Sequence, residues 1–249
     1  MARSSRKRPL TAAVVLRSIV QNIVFVVSLL VWAIAGQLTF PFPYRTRYRW
    51  ITRWTHLNLW CLEVVCGIRC EVRGLENIPA EGAGIIMCKH QSTWETMALQ
   101  RWFNPQTWVL KRELMRLPFF GWAMALLEPV AINRSARTEA VRQMVEEGEQ
   151  RLRDGRWVVI FPEGTRVAPG EKSRYRIGGG VLAERTGAFV IPVAHNAGEY
   201  WGRNQFFKWP GVIQVRIGPP IDSKGKSAQE IVNAVEEWIE GQMKEIYGK

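Results

Sequence analysis

The 249-residue chain has little cysteine and even less histidine, four and three residues respectively. Cys61, Cys66, Cys70 and Cys88 form no CxxC pair and no metal-ligand spacing. They read as buried free thiols in a reducing, cytosol-facing compartment, and no metal site is expected. HExxH, GxSxG and Walker sequences are all missing, which excludes the metalloprotease, nucleophile-elbow hydrolase and P-loop classes. There is no internal repeat and no low-complexity tract. A composition of 47% hydrophobic and 22% charged residues excludes a disordered, collagen-like or polytopic membrane protein. At ~100 to 200 residues per domain, the length allows one large domain, or one domain with a modest appendage.

Acidic residues are absent from the first 53 positions, whereas Arg3, Arg6, Lys7, Arg8, Arg17, Arg45, Arg47, Arg49 and Arg53 all fall there. Most of the net charge of +12 therefore sits in this segment, and the rest of the chain is close to neutral. A uniformly basic nucleic-acid binder has no such asymmetry, so the anionic partner expected is a bilayer surface and not a nucleic acid.

Between the basic clusters runs Ser18 to Phe40, an uncharged stretch containing IVFVVSLLVWAIAG. Entering or crossing a bilayer takes ~20 apolar residues. After Phe40-Pro41-Phe42-Pro43 comes a weaker apolar stretch, Trp54 to Ile68, broken by His56, Asn58 and Glu63. The pair reads as a helix, a Pro turn and a shorter amphipathic helix. Basic residues on both flanks give no orientation for a single span. A hairpin dipping into one leaflet satisfies both, with its arginines on head groups and Tyr44, Tyr48, Trp50 and Trp54 at the interface. A true span remains open, as does a signal peptide, whose cleavage site Ala33-Ile34-Ala35 mimics.

From residue 68 the pattern becomes alternating strand and helix. Seven β-branched runs recur: Ile68 to Val72, Gly84 to Lys89, Thr107 to Lys111, Pro129 to Asn133, Trp157 to Phe161, Phe189 to Ala194 and Val212 to Ile217. Thr138 to Asp154 is a helix with Val141, Met144, Val145, Gly148 and Leu152 on its apolar face, stopped by Gly155. Ser227-Ala228-Gln229-Glu230 is a capping box opening a last helix, with Ile231, Val235, Trp238, Ile239, Met243 and Ile246 as its buried stripe. The fold expected is α/β: a mixed, largely parallel sheet of about seven strands with surrounding helices, over residues 68–249, preceded by a membrane-associated two-helix hairpin over 1–67.

In such sheets the chemistry collects where strands end and helices begin. Two exits stand out, Gly84–Lys89 running into His90-Gln91-Ser92-Thr93-Trp94-Glu95, and Trp157–Phe161 running into Pro162-Glu163-Gly164-Thr165-Arg166. Of the three histidines, His56 lies in the apolar hairpin and His195 follows a buried-looking strand, where it reads as a satisfied edge residue. His90 alone stands at a strand exit with a carboxylate close by. Positions i and i+5 of a continuous helix point ~140° apart, so Glu95 reaches His90 only if the histidine precedes the helix, and a Ser92 N-cap supplies that break. A carboxylate-oriented His base is one reading. The other makes Glu95 the reciprocal half of a Ser92-x-x-Glu95 capping box.

These segments resemble the motifs of the membrane-associated glycerophospholipid acyltransferases, most closely the bacterial 1-acylglycerol-3-phosphate (lysophosphatidate) acyltransferases. His90 and Glu95 match His-x4-Asp, with Glu in place of Asp. Lys111-Arg112-Glu113-Leu114 with Pro118 and Gly121 matches K-x-E-L-x3-P-x2-G. Ala131-Ile132-Asn133-Arg134 looks like the second motif, Phe161-Pro162-Glu163-Gly164-Thr165-Arg166 is the third, and Val190-Ile191-Pro192-Val193-Ala194 is the fourth. The resemblance covers roughly residues 84 to 196.

The resemblance implies transfer of an acyl group from a thioester to the sn-2 hydroxyl of lysophosphatidate, giving phosphatidate. Another acceptor, such as glycerol-3-phosphate or a different lysolipid, and a catalytically silent membrane-surface protein are the alternatives. His90 would be the base and Glu95 its orienting carboxylate. Arg166 would hold the acceptor phosphate, because a planar guanidinium matches phosphate oxygens, with Lys111 and Arg134 assisting. Glu163, Gly164 and Thr165 would bind the acceptor. No cofactor is implied beyond an acyl-carrier protein or coenzyme A thioester as co-substrate. Pro118 to Leu127 reads as a core helix or the lining of an acyl channel. The location implied is the cytoplasmic face of a bacterial inner membrane.

Overall fold

The computed structural model describes residues 8–248, apart from the side chains of Arg134 and Arg137. Arg3, Arg6 and Lys7 of the basic cluster lie outside the described residues. Two long helices come first, α1 (Ala12–Gln37) and α2 (Tyr44–Val64), joined through the Pro41–Pro43 turn. The body then runs β1 (Ile68–Arg73), β2 (Ile85–Cys88), α3 (Trp94–Ala98), β3 (Gln106–Lys111), α4 (Phe120–Ala125), β4 (Val130–Ile132), α5 (Arg137–Arg153), β5 (Trp157–Ile160), α6 (Gly178–Thr186), β6 (Val190–His195), β7 (Gly211–Ile217) and α7 (Ala228–Ile246).

All seven strands join one sheet in the order β1-β7-β6-β2-β5-β3-β4. Every pairing is parallel except β6 with β7. The sheet is covered on both faces, so its central strands are continuous apolar runs. Ile86, Cys88 and Val159 pack with α2, α3 and α4, while Ile85, Met87 and Val158 pack with α5, α6 and α7. Ser227 and Glu230 form the expected capping box of α7. The glycine-rich helix α6 and the short α4 carried no periodic signal in the sequence; α6 is set by packing against α5, α7 and β2, and α4 by packing against α1.

The hairpin is built into the body. Ala33, Tyr48, Ile51, Leu59 and Leu62 belong to the same apolar core as the strands. The inner face of α1 carries buried polar groups bonded to α2: Gln21 donates to Asn58 Oδ1 (3.4 Å), and Asn58 and the Trp54 indole both donate to Ser28 Oγ (3.1 and 2.9 Å). Its outer face exposes Leu16, Ile23, Val26, Val27, Val31 and Ile34, followed by Leu38, Phe40 and Phe42 in the turn. Membrane hydrocarbon cannot satisfy polar groups, so only this outer face suits a bilayer. Such packing argues for an integral element of the fold over a leader cleaved near Ala35.

The interfacial role expected of the α2 aromatics needs correction. Tyr48 is buried and donates to Asn104 Oδ1 (3.1 Å), and Tyr44 donates to the Gln106 carbonyl (3.2 Å). Trp50 and Trp54 pack against the common core. Arg47 pairs with Glu128 (2.6 Å) rather than pointing to solvent. Inward-facing rings satisfy α2's wide apolar stripe against the sheet, leaving Arg45, Arg49 and Arg53 exposed.

Candidate active site

Because β2 through β6 are mutually parallel, their C-terminal ends meet along one edge of the sheet, and the motif residues converge there. The chain leaves β2 extended, and α3 starts at Trp94, so His90 precedes the helix. Its Nδ1 lies 2.8 Å from Glu95 Oε1. The same oxygen accepts the N–H groups of Gln91 (2.9 Å) and Ser92 (2.8 Å). Orienting the histidine and capping the backbone are therefore done by one atom. The expected N-cap shifts by one residue: Thr93 precedes the helix, and the Ser92 hydroxyl accepts the Trp94 N–H (3.1 Å) instead of Glu95's.

Glu95 is 1% exposed. Burial alone would raise its carboxyl; the neighbouring His195 and His90 and the Ser92 N–H outweigh that and hold it below the ordinary carboxylate value. Burial keeps His195 below the ordinary imidazole range, with Nε2 donating to the Lys89 carbonyl (2.7 Å) and Nδ1 accepting the Ala197 N–H (3.1 Å). The donors from His90, Gln91 and Ser92 converge on Oε1 of Glu95 and favour its ionised form. An ionised Glu95 fixes the proton of His90 on Nδ1. Nε2 is left with no hydrogen-bond partner among the described residues. Phe161, at the neighbouring exit of β5, stacks on the imidazole at 4.0 Å.

His90 opens onto a cavity of about 530 Å³ between the hairpin and the sheet. Leu29, Trp32 and Ile51 line it from the hairpin, and Phe120, Met124 and Leu127 from α4 and the turn after it. The segment expected to be either a core helix or a channel lining thus faces the cavity. Lys111, Gly164, Thr165 and Arg166 line the polar end beside His90. Arg166 is half-buried; burial lowers its pKa, Glu95 opposes this and Arg203 adds to it. The Arg134 backbone follows β4, but its side chain lies outside the described residues. Gly164 takes a left-handed backbone (φ 71°) with the Arg176 side chain lying across it, where a Cβ would come within 2.5 Å of Nε.

Glu163 does not line this cavity, which corrects its expected part in holding the acceptor. Its side chain is fully buried on the other face of the sheet, 3.3 Å from Lys89 Nζ, and Oε1 accepts the His90 N–H (3.4 Å). Strand alternation explains the split, since Lys89 follows Ile85 and Met87 towards α7 while His90 turns to the cavity. Lys89 also pairs with Glu240 of α7 (2.7 Å), to which Tyr175 donates (3.1 Å). Burial raises the Glu163 carboxyl to about 7 against the pull of Lys89. Lys89, Glu240 and Arg203 had no motif to mark them in the sequence, and Phe161, which opens the third motif, had been given no role there. Among the described residues no cluster of His, Cys, Asp and Glu has the form of a metal site, and all four cysteines are free.

The acyltransferase family model matches residues 69–196, more than half of the chain. A 1-acyl-sn-glycerol-3-phosphate acyltransferase of Pseudomonas aeruginosa is 44% identical over 236 residues, spanning 93% of this chain and 91% of that protein. The chain belongs to the acyltransferase family. A protein of the same description from Borreliella burgdorferi is 29% identical to this acyltransferase over 169 residues, covering 67% of the chain and 65% of the relative. The crystal structure of a 1-acyl-sn-glycerophosphate acyltransferase from Thermotoga maritima superposes with a TM-score of 0.78 over 95% of this chain and 97% of that one. At 22% identity, that likeness shows that this acyltransferase shares the fold, hairpin included.

Proposed function

We propose that this acyltransferase moves a fatty acyl group from an acyl thioester to the sn-2 hydroxyl of lysophosphatidate, yielding phosphatidate for phospholipid biosynthesis. The observation that carries this reading is the His90–Glu95 pair opening onto a cavity with an apolar body and a cationic end. His90 Nε2 takes the hydroxyl proton as the acceptor oxygen attacks the thioester carbonyl, and Glu95 stabilises the imidazolium. Collapse of the tetrahedral intermediate breaks the C–S bond, and the departing thiolate recovers the proton from His90. Arg166 and Lys111 hold the acceptor phosphate, with Thr165 beside them, and Arg134 is assigned to the same end from its motif. Glu163 is a positioning residue that tethers the His90 backbone. The donor is an acyl-carrier protein or coenzyme A thioester.

One substrate is a bilayer amphiphile and the other is water-soluble, which suits an enzyme seated on the cytoplasmic face of the membrane. We assign the outer face of α1 to one leaflet and Arg45, Arg49 and Arg53 to anionic head groups. The purified full-length protein in detergent, assayed against lysophosphatidate, glycerol-3-phosphate and other lysolipids, should use lysophosphatidate best. His90→Ala should abolish transfer with the fold intact; an active His90→Ala protein overturns the mechanism, and a better acceptor overturns the substrate. High salt should leave the protein on vesicles, because insertion of an apolar face is not screened, and clean elution by salt would refute the hairpin's role.

A further inference from the structure

The connection from β6 to β7 carries a cationic side chain that none of the family-like motifs includes. Arg203 lies on this connection, reaches the cavity that contains His90, and donates from Nη1 to the Arg166 carbonyl at 3.4 Å. The turn that presents it is built: the Gln205 side chain accepts the Gly202 N–H (3.0 Å), the Trp201 indole donates to the Gln205 carbonyl (3.2 Å), and Asn204 takes a left-handed φ of 55°. Further along, the connection is fastened to α1, with the Lys208 N–H donating to Ser18 Oγ (2.9 Å) and Lys208 Nζ to Asn22 Oδ1 (2.8 Å).

Arg203 and Arg166 thus bring two guanidinium groups to one end of one cavity. Among the described residues neither makes an ion pair with a carboxylate, whereas Arg47, Arg142, Arg153 and Arg156 all do. The Glu95 carboxylate acts on Arg166 without pairing with it, and two like charges drawn together at a cavity favour an anion that enters between them. Planar guanidinium forks match the oxygens of a phosphomonoester dianion and bind them with charge-assisted hydrogen bonds.

We infer that Arg203 is the second arm of a clamp which, with Arg166, grips the phosphomonoester of the acyl acceptor and sets its hydroxyl against His90. The inference rests on the function proposed above. In lysophosphatidate the sn-2 carbon is separated from the phosphate ester oxygen by a single carbon, so a phosphate gripped beside His90 keeps the reacting hydroxyl close to the base. The turn is tied to α1, so the phosphate-binding arm is held by the element that faces the bilayer.

The test compares the full-length wild type with Arg203→Gln and Arg203→Lys in neutral detergent micelles, where no anionic surface is present. We expect Arg203→Gln to raise the KM for lysophosphatidate about tenfold or more while the donor KM stays within about twofold, as loss of a charge-assisted contact predicts. Arg203→Lys should recover part of the loss. An unchanged acceptor KM, or a rise in the donor KM instead, would overturn the assignment. In parallel, inorganic phosphate should raise the Tm of the wild type and raise that of Arg203→Gln much less, with each protein's Tm in phosphate-free buffer reporting its folding. Equal shifts would refute the clamp. The Tm measurement is independent of catalysis. A wild type that binds phosphate through Arg203 but does not acylate lysophosphatidate would therefore sink the proposed function and leave the clamp standing.

Discussion

Strands β2 and β5 are neighbours in the sheet, and each delivers a buried glutamate to the same edge, yet the two carboxyls are held in opposite ways. Glu95 gathers three donors on one oxygen and lies below the ordinary carboxylate value. Glu163 has one 3.3 Å ammonium neighbour, shared with Glu240, and one long backbone contact, and burial carries it up to about 7. Burial is common to both, so the neighbours decide the direction: His195, His90 and the Ser92 N–H outweigh it at Glu95, whereas Lys89 does not at Glu163. Glu95 is buried behind His90 and orients the base, while Glu163 stands behind the sheet in the strut to α7.

The comparison is broken most severely by removing the cation behind the sheet. Lys89→Met leaves Glu163 and Glu240 without their shared ammonium, and we expect a loss of about 3 kcal/mol or more in urea unfolding, the usual cost of breaking a buried pair. Adding Glu163→Gln should recover part of it; a Lys89→Met protein as stable as wild type would mean that the cluster does not matter. Next in size is Glu95→Gln. The amide oxygen still accepts the Gln91 and Ser92 N–H groups, so the protein should fold with a modest loss of Tm at neutral pH, but the charge behind His90 is gone and kcat should fall on the order of 10²-fold. Normal kcat would assign Glu95 to the backbone alone. Glu95→Asp should retain part of the activity.

His195→Ala gives a smaller effect, seen in stability more than in chemistry. It leaves the Ala197 N–H without its partner and the Lys89 carbonyl with only the Cys88 thiol, at a cost of about 1 to 3 kcal/mol. A drop in kcat as deep as that of His90→Ala would place His195 among the reacting groups.

The smallest effect sharpens the contrast through pH. The folded-state pKa of Glu163 is raised, so the folded protein holds a proton that the unfolded chain has lost, and stability falls as pH rises from about 4.5 to about 7. Glu163→Gln should not show that fall, and its activity should stay within severalfold of wild type. The pKa of Glu95 is lowered, so its contribution is present above the ordinary carboxylate value and is lost as pH drops below it. Relative to wild type, Glu163→Gln therefore gains between pH 4.5 and 7, whereas Glu95→Gln loses above 4.5. Parallel curves for the two variants would erase the distinction between the exits.

Much of the fold was legible because its elements carry their own periodicity. All seven strands follow β-branched runs, and α5 and α7 follow 3.6-residue stripes with clear end signals. The third motif at the exit of β5 pointed to Arg166 and Thr165, which do line the cavity. Glu163 in the same motif was misplaced, because a linear pattern does not say which face of the sheet a side chain takes once the strand has ended. The α2 aromatics were misread for a related reason: a hydrophobic stripe looks alike whether a bilayer or a sheet covers it.

By itself the sequence determined the local and covalent terms: which runs extend, which coil, where helices start, and that His90 and Glu95 stand five residues apart across a strand exit. The tertiary structure alone decided what depends on strand order. The parallel arrangement of β2 to β6 brings Lys111, Glu163, His195 and His90 to one edge from distant parts of the chain. The antiparallel return of β7 keeps the β6–β7 connection at that edge and so carries Arg203 to the cavity. Burial, which sets the charge of Glu95 and Glu163, is likewise a property of the packed layers, because the cost of an ion depends on every group that has displaced water around it.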